Sequence, residues 1–227
     1  MKRLFLAATL AALSCVAALA QIPSNTAWVR VVHAASDAPA VDILANGSLV
    51  FQGIKFKGFT EYTPVPAASY TLSVNVSGTS TTVMSIGPTQ LMGGHAYTFY
   101  AFGTLANGTL QLMGTGDEVD APGMGMSKIR VVHGASTAPR VDVYATTPYA
   151  PLTGAPALSG VPFPLASGYL TIPAGVYQAR VAVAGTKTVA IDSGRFPLMG
   201  NTTRTVVAID PSTKDGGFEL LVLPDVN

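Results

Sequence analysis

Arg30-Val31-Val32-His33-Ala34-Ala35-Ser36-Asp37-Ala38-Pro39-Ala40-Val41-Asp42 recurs one hundred residues later as Arg130-Val131-Val132-His133-Gly134-Ala135-Ser136-Thr137-Ala138-Pro139-Arg140-Val141-Asp142, with ten of the thirteen positions identical. Further along the offset becomes 107, where Pro66, Ala67, Tyr70, Gly78 and Thr79 match Pro173, Ala174, Tyr177, Gly185 and Thr186, and Leu91-Met92-Gly93 matches Leu198-Met199-Gly200. A period this long indicates tandem domains, since solenoid repeats run to about 20–50 residues. The second copy has gained seven residues between its second and fourth strands.

Inside each copy, short runs of β-forming residues are broken by turn signals at the spacing of a sandwich. The expected strands are 28–33, 41–45, 48–52, 59–63, 70–76, 81–86, 96–102 and 109–113, then 129–133, 141–145, 169–172, 177–184, 187–192, 203–209 and 218–223. Asn46-Gly47 between two of them predicts a tight hairpin, because both residues accept positive φ. Apolar and polar residues alternate through Tyr70-Thr71-Leu72-Ser73-Val74-Asn75-Val76, so one face packs on a core and the other meets water. The fold class expected is all-β: two tandem immunoglobulin-like antiparallel β-sandwich domains behind an N-terminal signal peptide. In copy two the Asn-Gly hairpin gives way to a proline-interrupted loop over 146–156, and Tyr149 is read as part of an irregular connection, with a contact surface as the alternative.

Lys2 and Arg3 precede an apolar run over residues 4–18, and Ala18-Leu19-Ala20 offers the small residues of a cleavage site before Gln21. Residues 1–20 are therefore read as a removed secretory signal, because a spanning helix wants about 20 apolar residues. Cys15 is the one cysteine and falls inside that signal, so the mature chain is expected to hold no thiol; Leu13 sits one place too late for a good lipobox. Without Lys2 and Arg3 eleven basic residues face twelve acidic ones, a net charge of −1. That balance leaves no basic footprint for nucleic acid. The first domain is placed at 21–116, a linker at 117–126 and the second domain at 127–227. The linker's Gly123-Met124-Gly125-Met126 offers two thioethers with no neighbouring histidine, which is read as a flexible connection in preference to a copper site.

Arg-Val-Val-His-Ala-x-Ser-x-Ala-Pro-x-Val-Asp, followed by Asn-Gly and later by Pro-Ala-x-x-Tyr, resembles the bacterial family called domain of unknown function 4397 over both copies. The resemblance implies an exported or surface-associated protein with tandem domains, and it brings no activity with it. Gly134, Thr137 and the longer loop of copy two depart from the pattern.

Candidate site residues are His33, Ser36, Asp37 and Asp42, with His133, Ser136 and Asp142 in copy two. His33 ends one expected strand and Asp42 begins the next, so an antiparallel return predicts a hydrogen bond between them, with Ser36 or Asp37 capping the Ala-Pro turn. A serine triad would also need an oxyanion hole and a strained elbow, and no Gly-x-Ser-x-Gly occurs. One histidine and one or two carboxylates per copy fall short of a zinc set, and Asp37 lacks the spacing of a calcium loop, so no metal and no cofactor is expected. Arg30 and Arg130 are read as the exposed face of the first strand. The expected function is an exported non-enzymatic binding or surface-structural module, periplasmic or extracellular, with a cell-envelope glycan or protein as partner and no transmembrane segment in the mature chain. The alternative is a hydrolase or metal-dependent enzyme using the His/Asp motif. Mass spectrometry of the exported protein is expected to find Gln21 at the N-terminus; a chain beginning at Met1, or a lipid on Cys15, would refute the signal reading.

Overall fold

The computed structural model describes residues 22–213 and 216–226. The signal, Cys15 and the junction at Gln21 lie outside the described residues. Copy one comprises β1 (Thr26–His33), β2 (Val41–Ala45), β3 (Ser48–Ile54), β4 (Thr63–Pro66), β5 (Ser69–Val76), β6 (Thr82–Gln90), β7 (Ala96–Phe102) and β8 (Gln111–Asp117). Copy two comprises β9 (Met126–Gly134), β10 (Val141–Thr146), β11 (Leu158–Val161), β12 (Leu165–Ala166), β13 (Leu170–Pro173), β14 (Gly175–Val183), β15 (Val189–Asp192), β16 (Phe196–Leu198), β17 (Thr202–Ile209) and β18 (Glu219–Pro224).

Each copy is a two-sheet sandwich. In copy one a sheet ordered β4-β1-β7-β8 faces a sheet ordered β3-β2-β5-β6; in copy two the counterparts are β12-β9-β17-β18, with β13 also on β9, and β11-β10-β14-β15. Pairing is antiparallel except where the first strand of each copy runs parallel to β7 or β17. Asn46 at φ 49° and Gly47 at φ 80° close the β2–β3 hairpin as expected. The strand expected at 59–63 forms instead at β4, an edge position where Pro64 and Pro66 cost no central ladder bond.

Alternation on β1 and β7 assigns the two faces. Val29, Val31, Phe99 and Ala101 join Val41, Ile43, Leu72 and Val74 in the core between the sheets of copy one. Val141, Val143, Val181 and Ala208 do the same in copy two. The opposite faces of these strands do not meet water. Val32, Ala34, Tyr100 and Phe102 pack against Val132, Val207, Ile209 and Leu223, a third apolar cluster that joins the copies. The two copies therefore share a buried apolar interface. Asp117, placed in the 117–126 linker by sequence, closes β8 and is buried.

Arg30 and Arg130, read as exposed, are 1% and 2% accessible. Period-two alternation correctly set them opposite Val29 and Val31 but gave no sign of what covers that face. Arg30 donates through Nε to Thr98 Oγ1 at 2.8 Å within its own copy, and its terminal nitrogens reach the Pro224 carbonyl and the Asp225 carboxylate of the other copy. Arg130 repeats the arrangement: Nε donates to Thr205 Oγ1 at 3.1 Å, and its other nitrogens to the Gly116 carbonyl at 3.0 Å and Asp117 Oδ1 at 2.6 Å. Tyr62 covers Arg30 at 4.5 Å, and Tyr169 covers Arg130 at 4.6 Å. The same tyrosines donate to Asp117 at 2.9 Å and Asp225 at 2.7 Å.

Removing one partner of a buried ion pair strands the other charge, whereas apolar replacement of both is far milder. Asp225→Ala is therefore expected to lower the stability of the full chain by about 3–5 kcal/mol, and Arg30→Met with Asp225→Leu by much less. Equilibrium denaturation of the three proteins checks this, and equal losses in both variants would remove the ion pair from the argument.

Candidate functional site

The repeated motif straddles a corner where the chain leaves one sheet for the other, since β1 belongs to the β7 sheet and β2 to the β5 sheet. This topology overturns the expected bond between His33 and Asp42. An antiparallel return in one sheet would pair their strands; a crossover sets His33 opposite Ala101 and Asp42 opposite Asn75. His33, fully buried, uses Nε2 on the Pro39 carbonyl at 2.9 Å, and its Nδ1 accepts from Ala35 N–H at 3.3 Å, so the ring staples its own corner. His133 Nε2 likewise bonds the Pro139 carbonyl at 3.1 Å, and each ring meets an aromatic edge, Phe56 or Phe163.

Asp42 holds a different junction. Its carboxylate accepts from Gly53 N–H at 2.7 Å, Ser77 Oγ at 2.7 Å and Gly78 N–H at 2.9 Å. Asp142 accepts from Gly160 and Gly185 N–H at 2.7 and 2.8 Å. All four glycines have positive φ, which turns their N–H groups out of the ladder and toward the acid. The bond from Gly78 first, then those from Gly53 and Ser77, hold the Asp42 carboxyl below its ordinary range, and Gly160 then Gly185 do so for Asp142.

Asp37 and Ser136 clasp the corner to the loop between the last two strands of their copies. Asp37 accepts from Leu105 and Ala106 N–H at 2.5 and 2.8 Å. In copy two the acid sits on the other loop: Asp210 accepts from the N–H and hydroxyl groups of both Ser136 and Thr137, at 2.6 to 3.0 Å. Asp37 corresponds to Thr137, and Asp210 to Gly103, whose positive φ of 90° and close approach to the Thr109 carbonyl leave no room for a side chain. Thr109 Oγ1 also donates to Ser136 Oγ at 3.0 Å across the copies. The expected turn cap is thus a loop-to-loop clasp, and the seven motif residues form no single constellation. Among the described residues no group of three or more His, Cys, Asp or Glu could hold a metal ion.

The loop over 147–157 has no regular secondary structure, in keeping with the irregular connection expected there, but sequence reasoning missed the side chains that clamp it. Gln178 Oε1 accepts from Tyr149 N–H at 2.6 Å, while Gln178 Nε2 donates to both oxygens of Asp192 at 2.7 and 2.9 Å. Arg180 donates to the Ala150 carbonyl at 2.6 Å and to Thr146 Oγ1 at 2.7 Å. Lys187 donates to the Gly154 carbonyl at 2.9 Å and lies 4.3 Å over the Tyr144 ring. Where copy two has Tyr144, Gln178, Arg180 and Asp192, copy one has Leu44, Thr71, Ser73 and Ser85 at the same register positions. The clamp and the inserted loop belong to copy two alone. Its outward product is Tyr149, 77% exposed at φ 65°, a conformation a bulky L-residue rarely adopts. The signal for this site was available in the sequence as a set of polar and aromatic replacements on alternate positions of β10 and β14.

Each sandwich also has a small, partly open apolar cavity of about 30–40 Å³, lined by Val29, Ile43 and Leu72 in copy one and by Val131, Val143 and Val181 in copy two. Ligand pockets run to about 300–1,000 Å³, so neither cavity is one.

Stapled corners on paired sandwiches define a tandem immunoglobulin-like β-protein. The family described as domain of unknown function (DUF4397) matches residues 27–144 and 147–227, two adjacent segments, and the chain belongs to that family in two tandem copies. No curated protein matches it. Among solved structures it is similar to a family 26 carbohydrate-binding module of Eubacterium rectale Amy13K, in complex with maltoheptaose (11% identity, 89% of this chain and 98% of that one, TM-score 0.28). The Bacillus anthracis TIE protein gives 7% identity over 91% of this chain and 44% of that one, TM-score 0.26. A leucine-rich repeat protein of Bacteroides thetaiotaomicron gives 13% over 82% and 26%, TM-score 0.20. At such TM-scores none of these likenesses carries an argument about ligand.

Burial lowers the pKa of both motif histidines below 6.5, with the Pro39 and Pro139 carbonyls opposing it in part. Folded chains therefore keep both rings neutral, while the unfolded chain takes up protons as pH falls below 6.5. That stability is present above the unfolded pKa and is lost on acidification. Asp42 and Asp142 lose their contribution only below 3.8. The denaturation midpoint is expected to fall between about pH 7.5 and about pH 5.5, and to fall less in a His33→Gln, His133→Gln protein. An unchanged drop in that variant would assign the effect elsewhere.

Proposed function

We propose that this chain is an exported, non-enzymatic binding module that works in the periplasm or outside the cell, and that its contact surface is the Tyr149 loop of copy two. The observation that carries the reading is the clamp itself: Gln178, Arg180 and Lys187 hold the loop backbone, and within that loop Tyr149 is presented to solvent from a left-handed backbone. Strain of this kind persists where the surroundings over-determine it, and it clusters at ligand contacts. A rigid tyrosine offers an apolar ring face with a polar tip at small entropic cost.

The motif residues support the same reading from the other side. A catalytic histidine needs a free nitrogen directed at a reactant; His33 commits both of its own to the corner backbone, and His133 bonds the Pro139 carbonyl through Nε2 while its unpartnered Nδ1 is buried away from solvent. Asp42 is shared among three donors. Among the described residues no helix is long and apolar enough to cross a membrane.

An envelope glycan, whose ring faces stack on exposed aromatics, is the first ligand to test, by glycan array and by pull-down from envelope material with the mature protein. Tyr149→Ala is expected to reduce binding at least tenfold, about 1.4 kcal/mol, with unchanged melting. Full retention of binding by that variant would move the surface elsewhere. Hydrolysis of an ester, glycoside or peptide that disappears in His33→Ala with His133→Ala, in a protein that stays folded, would reverse the reading in favour of an enzyme.

A further inference from the structure

The interface between the copies repeats one buried ion pair and is otherwise asymmetric: Lys57 pairs with Glu219 where copy two has Pro164 in place of the lysine, and Arg130 donates to Tyr100 where copy two has Val207. Arg30 with Asp225 and Arg130 with Asp117 are the same contact made twice, and Thr98 and Tyr62 correspond to Thr205 and Tyr169. Each copy therefore carries both halves of the pairing, the arginine and the carboxylate. A face of that kind is self-complementary about a two-fold axis, the arrangement of an isologous dimer. Nothing in the repeated ion pairs would stop copy one from pairing with copy one of a second chain, but that pairing would leave Lys57 without Glu219.

The apolar contacts do stop it. Phe102 stacks on Tyr100 at 5.2 Å and crosses the interface, meeting the Phe163 edge at 6.3 Å. It lies so close to Gly134 that a Cβ there would fall 2.3 Å from the ring. Gly134 is not at positive φ, so the glycine is required by the ring and not by the backbone. The symmetry-related contact is built differently: the counterpart of Gly134 is Ala34, and the counterpart of Phe102 is Ile209. A phenylalanine meets a glycine on one side of the axis, and the related positions on the other side carry isoleucine and alanine. Like-with-like pairing of copy one would drive Phe102 into the Ala34 methyl group, and overpacking of that sort is not absorbed by a close-packed interface.

We propose that on this face copy one excludes a second copy one, that the partner it accepts in trans is copy two of a second molecule, and that Phe102, which fits Gly134 but not Ala34, sets the specificity. Specificity of this form rests on a built-in clash against the wrong partner as much as on contacts to the right one. Copy one of an opened chain therefore re-pairs with copy two, its own or that of a second chain.

The experiment uses the full chain with a protease site placed at Met124, which is fully exposed between β8 and β9. After cleavage the halves are expected to co-elute as one particle. Two preparations that differ in the tag on copy one are cut, mixed through mild denaturant and returned to buffer. Pull-down of one tag is expected to recover copy two in equal amount and none of the other tagged copy one. Recovery of copy one with copy one, or separation of the cut halves as folded species, would overturn the proposal. Gly134→Ala is expected to lose co-elution, and adding Phe102→Leu to restore it. Should Gly134→Ala fail to fold, Ala34→Gly removes the methyl that bars the like pair, and it is expected to let tagged copies of copy one recover one another; continued exclusion in that variant would refute the assignment to Phe102.

Discussion

Two buried guanidinium groups, each neutralised by a carboxylate of the other copy, constrain everything else in the molecule. A charge this deep must be paired and hydrogen-bonded, and Arg30 and Arg130 find their anionic partners across the interface at Asp225 and Asp117. Neither copy satisfies its own arginine. β1 and β9, which carry the arginines, and β7 and β17, which carry their Thr98 and Thr205 partners, are buried on both faces, one against a sandwich core and one against the other copy. Burial keeps the covering tyrosines protonated as well, pushing the Tyr62 and Tyr169 phenols far above their ordinary value, so both stay donors to the acids. Asp225 stands near the end of the described chain, which ties completion of copy one to the last strand of copy two.

How much of this the sequence shows depends on whether a feature is local. Strand positions, the Asn46-Gly47 hairpin and the doubling of the domain come from period-two alternation, turn chemistry and repetition, all properties of neighbouring residues. β12 and β16 are too short to alternate, and Pro164 and Pro197 lie beside or within them, so they carry no legible strand pattern. The errors at the motif have one cause. Alternation says that Arg30 opposes Val31 but is silent on what lies beyond, and adjacency in sequence says that His33 and Asp42 are close but not that a sheet change separates their partners. Repetition held better information than motif chemistry did. Tyr62 with Tyr169, Thr98 with Thr205, and Asp117 with Asp225 match between the copies, which marks them as repeated positions without saying that the two faces meet.

The two copies share a scaffold and divide the remaining work. Copy one keeps the short hairpin on its outer sheet, where Leu44, Thr71 and Ser73 make a plain surface. Copy two places polar anchors at the same positions and holds an inserted loop with them. The inner sheets face each other and are closed to ligands, so the outer sheets are free to diverge. Duplication supplied one surface to seal the other and a second outer face on which to build.

The clasp between the sheet-crossing corner and the last loop has the further property that its acid changes sides. Copy one carries it as Asp37 and copy two as Asp210, each bonded to backbone amides on the facing loop. What the fold preserves is therefore a contact and not a residue at a position. Column-by-column alignment of the copies sets aspartate against threonine at one site and glycine against aspartate at the other, and would score both columns as unconstrained. Relatives in which both loops carry the acid, or neither does, would reveal whether the exchange passed through a crowded or an open clasp.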